Sequence, residues 1–150
     1  MNEKRDSRPL NVLFVCVGNS CRSQMAEAWA NRLGGGKVKA FSAGSAPLGR
    51  IIAETHDVMR EKGVELDGHW SKGLEDVPMK EMDVIVGMGC EIVCPVPPGF
   101  KGRVVEWNIP DPYGGSLDSF RSVRDLIERH VNGLLEDLPA LKQERAAEAR

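Results

Sequence analysis

Apolar residues follow two rhythms along this chain. Residues 10–16 form a short, nearly unbroken apolar run, and Val38 to Ser42, Asp83 to Val86 and Arg103 to Trp107 are similar in length. Between them, apolar residues recur at three- and four-residue intervals. Met25, Ala28, Trp29 and Leu33 do so within 24–33, and the stretch from Ile51 to Lys62 is a second helical segment. Leu117, Phe120, Val123, Ile127, Val131, Leu134 and Leu138 do so after Ser116. Short runs predict strands and the periodic segments predict helices. Gly34-Gly35-Gly36 stops the first helix, Gly63 stops the second, and Ser116 supplies an N-cap for the third. Residues 64–72 show neither rhythm and are expected to be irregular. Strands alternating with helices predict an α/β fold, a single domain built on an open parallel sheet. Such sheets bind ligands beyond the carboxyl ends of their strands.

Three of those ends carry chemistry. The first strand ends at Cys16 and continues as Val17-Gly18-Asn19-Ser20-Cys21-Arg22-Ser23 before the helix. Five residues between a cysteine and an arginine are enough to curl around one small tetrahedral oxyanion. In such a curl the backbone N–H groups of Val17 to Ser23 point inward. Arg22 adds a planar fork matched to two anion oxygens. Gly18 and Asn19 are best suited to the positive φ that a nest needs. A positive setting favours the thiolate, so Cys16 is the candidate nucleophile, with Ser23 placed to donate a hydrogen bond to it. Cys-x5-Arg alone would fit a buried cysteine beside a surface arginine. The preceding apolar strand, the Gly-Asn pair and the following helix favour an anion loop.

Cys90 and Cys94 follow the third strand, flanked by Gly87, Gly89, Pro95, Pro97, Pro98 and Gly99. Pro95 disfavours a helix at Cys94, so the segment is expected to be a loop that carries two thiols. Pro110-Asp111-Pro112-Tyr113-Gly114 follows the fourth strand as a stiff turn presenting one carboxylate. Alone, these would be two ordinary thiols and an ordinary turn. On one rim with Cys16 they gain roles. Asp111 is a candidate general acid for a departing oxygen, and Cys90 and Cys94 are candidates for a redox relay.

Composition narrows the classes. The 150 residues suit one core, and 41% hydrophobic with 28% charged residues is ordinary for a globular protein. A net charge of −2 gives no support to a nucleic-acid or acidic-membrane partner. Met1 to Pro9 is unlike a signal peptide, and no apolar run approaches membrane-spanning length. A cytoplasmic setting with reduced thiols is therefore expected. No metal is expected: the four cysteines lack Cys-x2-Cys spacing, and Arg22 beside Cys21 would compete with a cation. His56, His69 and His130 are expected at the surface or at caps, and Trp29 and Trp107 in the core. The domain is expected to span 10–138, with charged, frayed tails at 1–9 and 139–150.

The segment Cys16 to Glu27, Cys-Val-Gly-Asn-Ser-Cys-Arg-Ser-Gln-Met-Ala-Glu, resembles the anion loop of the low-molecular-weight protein tyrosine phosphatase superfamily. From Ser20 onward it is most similar to the arsenate reductase branch; the phosphatase branch usually has a proline where Gln24 stands. The resemblance runs from about Leu10 to Leu138, with Pro110 to Gly114 as its second anchor. It implies a four-stranded, flavodoxin-like parallel sheet of order 2-1-3-4. It also implies Cys16 as nucleophile, Arg22 as anion ligand, Asp111 as general acid, and no bound cofactor. In the reductases that use thioredoxin, a cysteine after the third strand attacks the arsenylated first cysteine, and another, often followed by proline, completes the relay. Cys90 and Cys94-Pro95 occupy those places, at a shorter spacing than is usual there. Met88-Gly89-Cys90 also resembles the Cys-Gly-Cys segment of a branch coupled to glutathione and glutaredoxin, with its first cysteine replaced. Thioredoxin and glutaredoxin both stay open as partners, and so does the order in which the two thiols act.

The resemblance implies arsenic detoxification by reduction of arsenate to arsenite, with weak phosphatase activity at the same thiol. The alternative is a phosphotyrosine phosphatase whose phosphocysteine at Cys16 is resolved by water. Phosphatases of this kind usually place an aromatic in the loop after the second strand and paired tyrosines after the Asp-Pro. Ser42 to Gly49 has no aromatic and Tyr113 stands alone, which favours a small inorganic anion. A non-catalytic oxyanion-binding or redox-sensing module fits less well, because nucleophile, arginine and acid are all present.

Overall fold

The computed structural model describes residues 8–89 and 96–148. Its four strands are β1 (Leu10–Cys16), β2 (Val38–Gly44), β3 (Val84–Met88) and β4 (Arg103–Trp107). They pair in parallel in the order β2-β1-β3-β4. Leu10 lies opposite Val38, Val12 opposite Val84, and Met88 opposite Trp107. This is the order that the resemblance implies. Its helices are α1 (Arg22–Gly34), α2 (Ala53–Glu61), α3 (Leu117–Glu136) and α4 (Leu138–Glu148).

A parallel strand is buried on both faces, so its sequence reads as continuous rather than alternating. In β1 the two faces serve two cores. Leu10, Val12, Phe14 and Cys16 join the larger one with Met25, Trp29, Val58, Met59, Phe120 and Ile127. Leu13 and Val15 join a smaller one with Ala43, Val77, Met82 and Ile85. The larger core takes side chains from all four helices. The smaller one is closed by two single-turn 3-10 helices, Leu74–Asp76 and Met79–Glu81. These were not expected, because three residues are too few to show a period. Residues 64–72 are irregular as expected.

Ser116 caps α3, its Oγ accepting from Ser119 N at 3.2 Å. Trp29 and Trp107 are buried as expected. His130, expected at the surface or at a cap, instead stacks on Trp107 with ring centroids 5.0 Å apart. The expected fraying from Pro139 is not what the chain does, since helix α4 continues to Glu148. Proline is tolerated in the first turn of a helix, and Leu138 and Leu141 are buried. Arg145 donates to Arg8 O, Pro9 O and Asp83. The sequence pattern carries Leu138 as the end of the preceding helix's apolar face, but that helix stops at Glu136 and Leu138 opens α4 instead, leaving Leu141 with no rhythm of its own. Among the described residues no helix is long and apolar enough to cross a membrane.

Helices α2 and α3 are joined by charge. Arg124 is buried and donates to Val58 O, Glu61 Oε1 and Asp125 Oδ1 at 2.7–2.9 Å. Hydrogen bonds from Arg121 and then Arg124 lower the Glu61 carboxyl from its ordinary 4.5 to about 2. A depressed carboxylate contributes stability above its unfolded value and loses it as pH falls through its folded value. Glu61→Gln is therefore expected to flatten the loss of thermal stability between pH 4.5 and about 2, and an unchanged acid limb contradicts this. Arg124→Met strands the Val58 carbonyl and is expected to cost roughly 1–3 kcal/mol in urea unfolding; an unshifted midpoint contradicts it.

Candidate active site

Between β1 and α1 the chain makes a tight loop, residues 17–21, at the carboxyl edge of the sheet. The segment after β2 holds its outer side. Ser45 N donates to Cys16 O, Ala46 N to Val17 O, Leu48 N to Gly18 O and Ile52 N to Ser20 O, at 2.9–3.2 Å. In a planar trans peptide the N–H points opposite to the carbonyl. Those four bonds therefore turn the N–H groups of Val17, Gly18, Asn19 and Cys21 away from the 45–52 segment. Such close approach needs glycine at position 44. A Cβ built there would lie 2.5 Å from Val17 O and 3.0 Å from Asn19 N.

Asn19 has φ of +48° and, among the described residues, is the only non-glycine at positive φ. Gly18, expected to share that conformation, does not adopt it. Its role is space: a Cβ there would sit 3.2 Å from Ser20 Oγ. The Asn19 side chain bridges the loop. Its Oδ1 accepts from Lys72 N at 2.9 Å and its Nδ2 donates to Ser23 Oγ at 2.7 Å. Ser23 Oγ is 2.9 Å from Cys16 Sγ. Cys16, Asn19 and Ser23 are all buried.

Arg22 is buried as well, against the reading of a merely surface arginine. Its Nη1 donates to Met88 O at 2.8 Å and Ile109 O at 3.1 Å, and its Nη2 lies 3.6 Å from Asp111 Oδ2. One guanidinium thus ties together the start of α1, the end of β3 and the turn beyond β4. Gly89, at φ of +75°, leaves room for it, since a Cβ there would fall 2.6 Å from Arg22 Nη1. Asp111 is half exposed, and its Oδ1 accepts from Tyr113 N at 3.1 Å, closing a local turn. The structure therefore brings Cys16, Arg22, Ser23 and Asp111 to one rim. Cys90 and Cys94 lie outside the described residues.

Cys21 is the last residue of the loop and is buried. Burial pushes its thiol up; hydrogen bonds with Thr55 and Ser20 oppose this, and the charges of Asp111 and Cys16 add to it. Among the described residues no group of three or more His, Cys, Asp or Glu side chains could hold a metal ion.

Sequence reasoning missed the layer behind the loop. Gln24 Nε2 donates to Asn19 O, Asn19 Oδ1 and Trp70 O. His69 Nδ1 is 3.0 Å from Gln24 Oε1 and 3.7 Å from Glu27 Oε2, so His69 is not the surface or cap residue expected. Lys72 Nζ reaches Ser42 Oγ and Glu27 Oε1. Ser71 Oγ accepts from Gly49 N and donates to Gly18 O. Gln24 carried a signal, as a polar residue where the phosphatase branch has proline. The 69–72 segment carried none.

The model of the low molecular weight phosphotyrosine protein phosphatase family matches residues 11–146. A glutaredoxin arsenate reductase from Synechocystis sp. is 36% identical over 126 residues, covering 83% of this chain and 95% of that protein. A solved arsenate reductase in its phosphate-binding state superposes with a TM-score of 0.77 at 33% identity, covering 86% of this chain and 98% of its own. An arginine phosphatase from Geobacillus stearothermophilus superposes with a TM-score of 0.73 at 26% identity, covering 91% and 97%. An anion-type loop at the end of β1, a sheet of order β2-β1-β3-β4 and a family match across nearly the whole chain agree: the chain belongs to the low molecular weight phosphotyrosine protein phosphatase family.

Proposed function

We propose that this protein reduces arsenate to arsenite through a covalent adduct on Cys16. The observation that carries the reading is the pairing of Cys16 Sγ with Ser23 Oγ at 2.9 Å on the same rim as the buried Arg22. Similarity to arsenate reductases supports arsenate as the oxyanion.

In this reading the backbone N–H groups of Val17 to Ser23 and the Arg22 guanidinium hold the oxyanion. Thiolate Cys16 attacks arsenic, an As–O bond breaks, and Asp111 protonates the departing hydroxide to water. A thiolate of Cys90 or Cys94 then attacks the Cys16 sulfur. The S–S bond forms as the S–As bond breaks, and the bonding pair stays on arsenic. Arsenic(V) becomes arsenic(III) and two thiols become one disulfide. Exchange within the thiol set passes the disulfide on, and an external dithiol system, thioredoxin or glutathione with glutaredoxin, reduces it. No bound cofactor enters these steps. Cys21, buried with its thiol pushed up, stays outside the relay.

Hydrolysis of phosphotyrosine is the second reading, which the family match keeps open. There water resolves a phosphocysteine at Cys16, and Cys90 and Cys94 are bystanders. The same first step gives the reductase a weak phosphatase activity.

The two readings separate on the relay thiols. Cys90→Ser and Cys94→Ser are each expected to abolish or sharply reduce multiple-turnover arsenite release while sparing hydrolysis of an aryl phosphate. Normal arsenite release in both variants would overturn the relay through Cys90 and Cys94, whereas aryl phosphate hydrolysis with no arsenite release by the wild-type protein would replace the reductase reading with the phosphatase one. Asp111→Asn keeps the shape of the acid without its proton. It is expected to slow adduct formation in single turnover by ~10²–10⁴-fold while oxyanion affinity changes little; a wild-type rate returns Asp111 to a turn residue.

A further inference from the structure

The hydrogen bonds behind the loop have a fixed direction. A backbone N–H, that of Lys72, donates to Asn19 Oδ1. The other end of that amide, Nδ2, therefore donates to Ser23 Oγ. A hydroxyl has one proton. With its oxygen accepting from Asn19, Ser23 has that proton left for Cys16 Sγ. Gln24 is oriented by the same logic. Its Nε2 faces Asn19 O at 3.2 Å, Asn19 Oδ1 at 2.9 Å and Trp70 O at 2.9 Å. Turned over, its carbonyl oxygen would oppose three oxygens. Gln24 Oε1 thus faces His69 Nδ1, which must carry a proton, because an amide oxygen cannot donate.

We infer that Gln24, oriented by His69, is a positioning residue for the Cys16 sulfur. The chain runs from His69 to Gln24, Asn19, Ser23 and the sulfur, each group donating to the next. Gln24 is fully buried and touches neither the sulfur nor the mouth of the loop by any of these bonds. It holds Asn19 in the left-handed conformation from two sides, through the Asn19 backbone carbonyl and its side-chain oxygen. Loss of Gln24 removes two of the three hydrogen bonds that Asn19 oxygens accept and leaves the Lys72 N–H alone to hold its amide. A looser Asn19 weakens the hydrogen bond that commits the Ser23 proton to sulfur. A proline at position 24 has no side-chain donor, so a chain of this kind is open to this protein and not to a loop with proline there.

The charged groups facing the chain are Glu27 from α1 and Lys72 from the irregular segment. Glu27 lies 3.7 Å from His69 Nδ1, and Lys72 Nζ lies 3.5 Å from Glu27 Oε1. At the sulfur end stand Arg22 and Asp111.

The inference rests on Cys16 as the nucleophile, and its test reads the thiol without any oxyanion. The pH dependence of iodoacetamide alkylation is followed at the Cys16 peptide by mass spectrometry, with circular dichroism as the folding check. Gln24→Met is expected to raise the pH of half-maximal reactivity by about one unit, the worth of one hydrogen bond to a charged group. Ser23→Ala is expected to do the same, and the double variant to go no further. His69→Asn, whose amide can still donate to Gln24, is expected to keep the wild-type profile, whereas His69→Phe shifts it upward. If Gln24→Met does not fold, the His69 pair carries the comparison. A wild-type profile in Gln24→Met or His69→Phe, or additive shifts in the double variant, overturns the inference. Arsenite release is measured separately, so failure of the positioning role and failure of the reductase reading are distinguishable.

Discussion

The structure depends on how the loop after β1 is pressed against the end of β2. Four carbonyl groups of that loop accept hydrogen bonds from residues 45–52, and planar peptides then turn their N–H partners the other way. Gly44 makes the approach possible, because any Cβ would collide with Val17 O. A loop of polar backbone at a buried strand end would otherwise be costly. Here its carbonyl side is satisfied by protein, and its N–H side is left for an anion on the proposed reading. The positive φ of Asn19 is the local strain this arrangement requires, and the Asn19 side chain is held at both ends to offset it.

Parallel topology does the rest of the assembly. With all four strands pointing one way, the Cys16 loop, Gly89 and Asp111 reach the same rim although they are far apart in sequence. Arg22 turns that proximity into a connected site. Its guanidinium is held by carbonyls at the end of β3 and before Asp111, so on the proposed reading the group that meets the anion need not be ordered from solvent. The same contacts link the loop mechanically to the chain that leads toward Cys90, two residues past Met88. Oxyanion binding and delivery of a second thiol would then meet at one side chain.

The sequence made some of this legible and left the rest out for physical reasons. Four strands and three helices were readable, because burial imposes periods of two or of three to four residues over a sufficient length. The 3-10 turns at 74–76 and 79–81 are too short to impose one. Helix α4 was missed because Leu138 and Leu141 are its only wholly buried apolar residues among those described and Arg145 anchors it through polar contacts. In the site, Cys16, Arg22 and Asp111 were readable as residue types at telling positions. Gln24, His69 and Lys72 act through the third dimension, across 45 to 53 residues of chain, and a linear pattern does not encode such pairings. Gly18 shows the limit from the other side. A glycine in a nest was read as a conformational device, whereas Gly18 does not take positive φ and a Cβ there would make a tight contact with Ser20 Oγ.

On the proposed reading, phosphoryl and arsenyl chemistry share a first step at Cys16, and the thiols that follow β3 in the sequence would decide which reaction completes. What both readings require is a tetrahedral oxyanion seated between Cys16 and Arg22. Backbone amide NMR during titration with inorganic phosphate tests that claim most directly. The account predicts that the amide resonances of Val17 to Ser23 shift together along one saturable curve, and that Arg22→Lys weakens the binding they report. Shifts confined to other surfaces, or none in 17–23 at saturating phosphate, would contradict it.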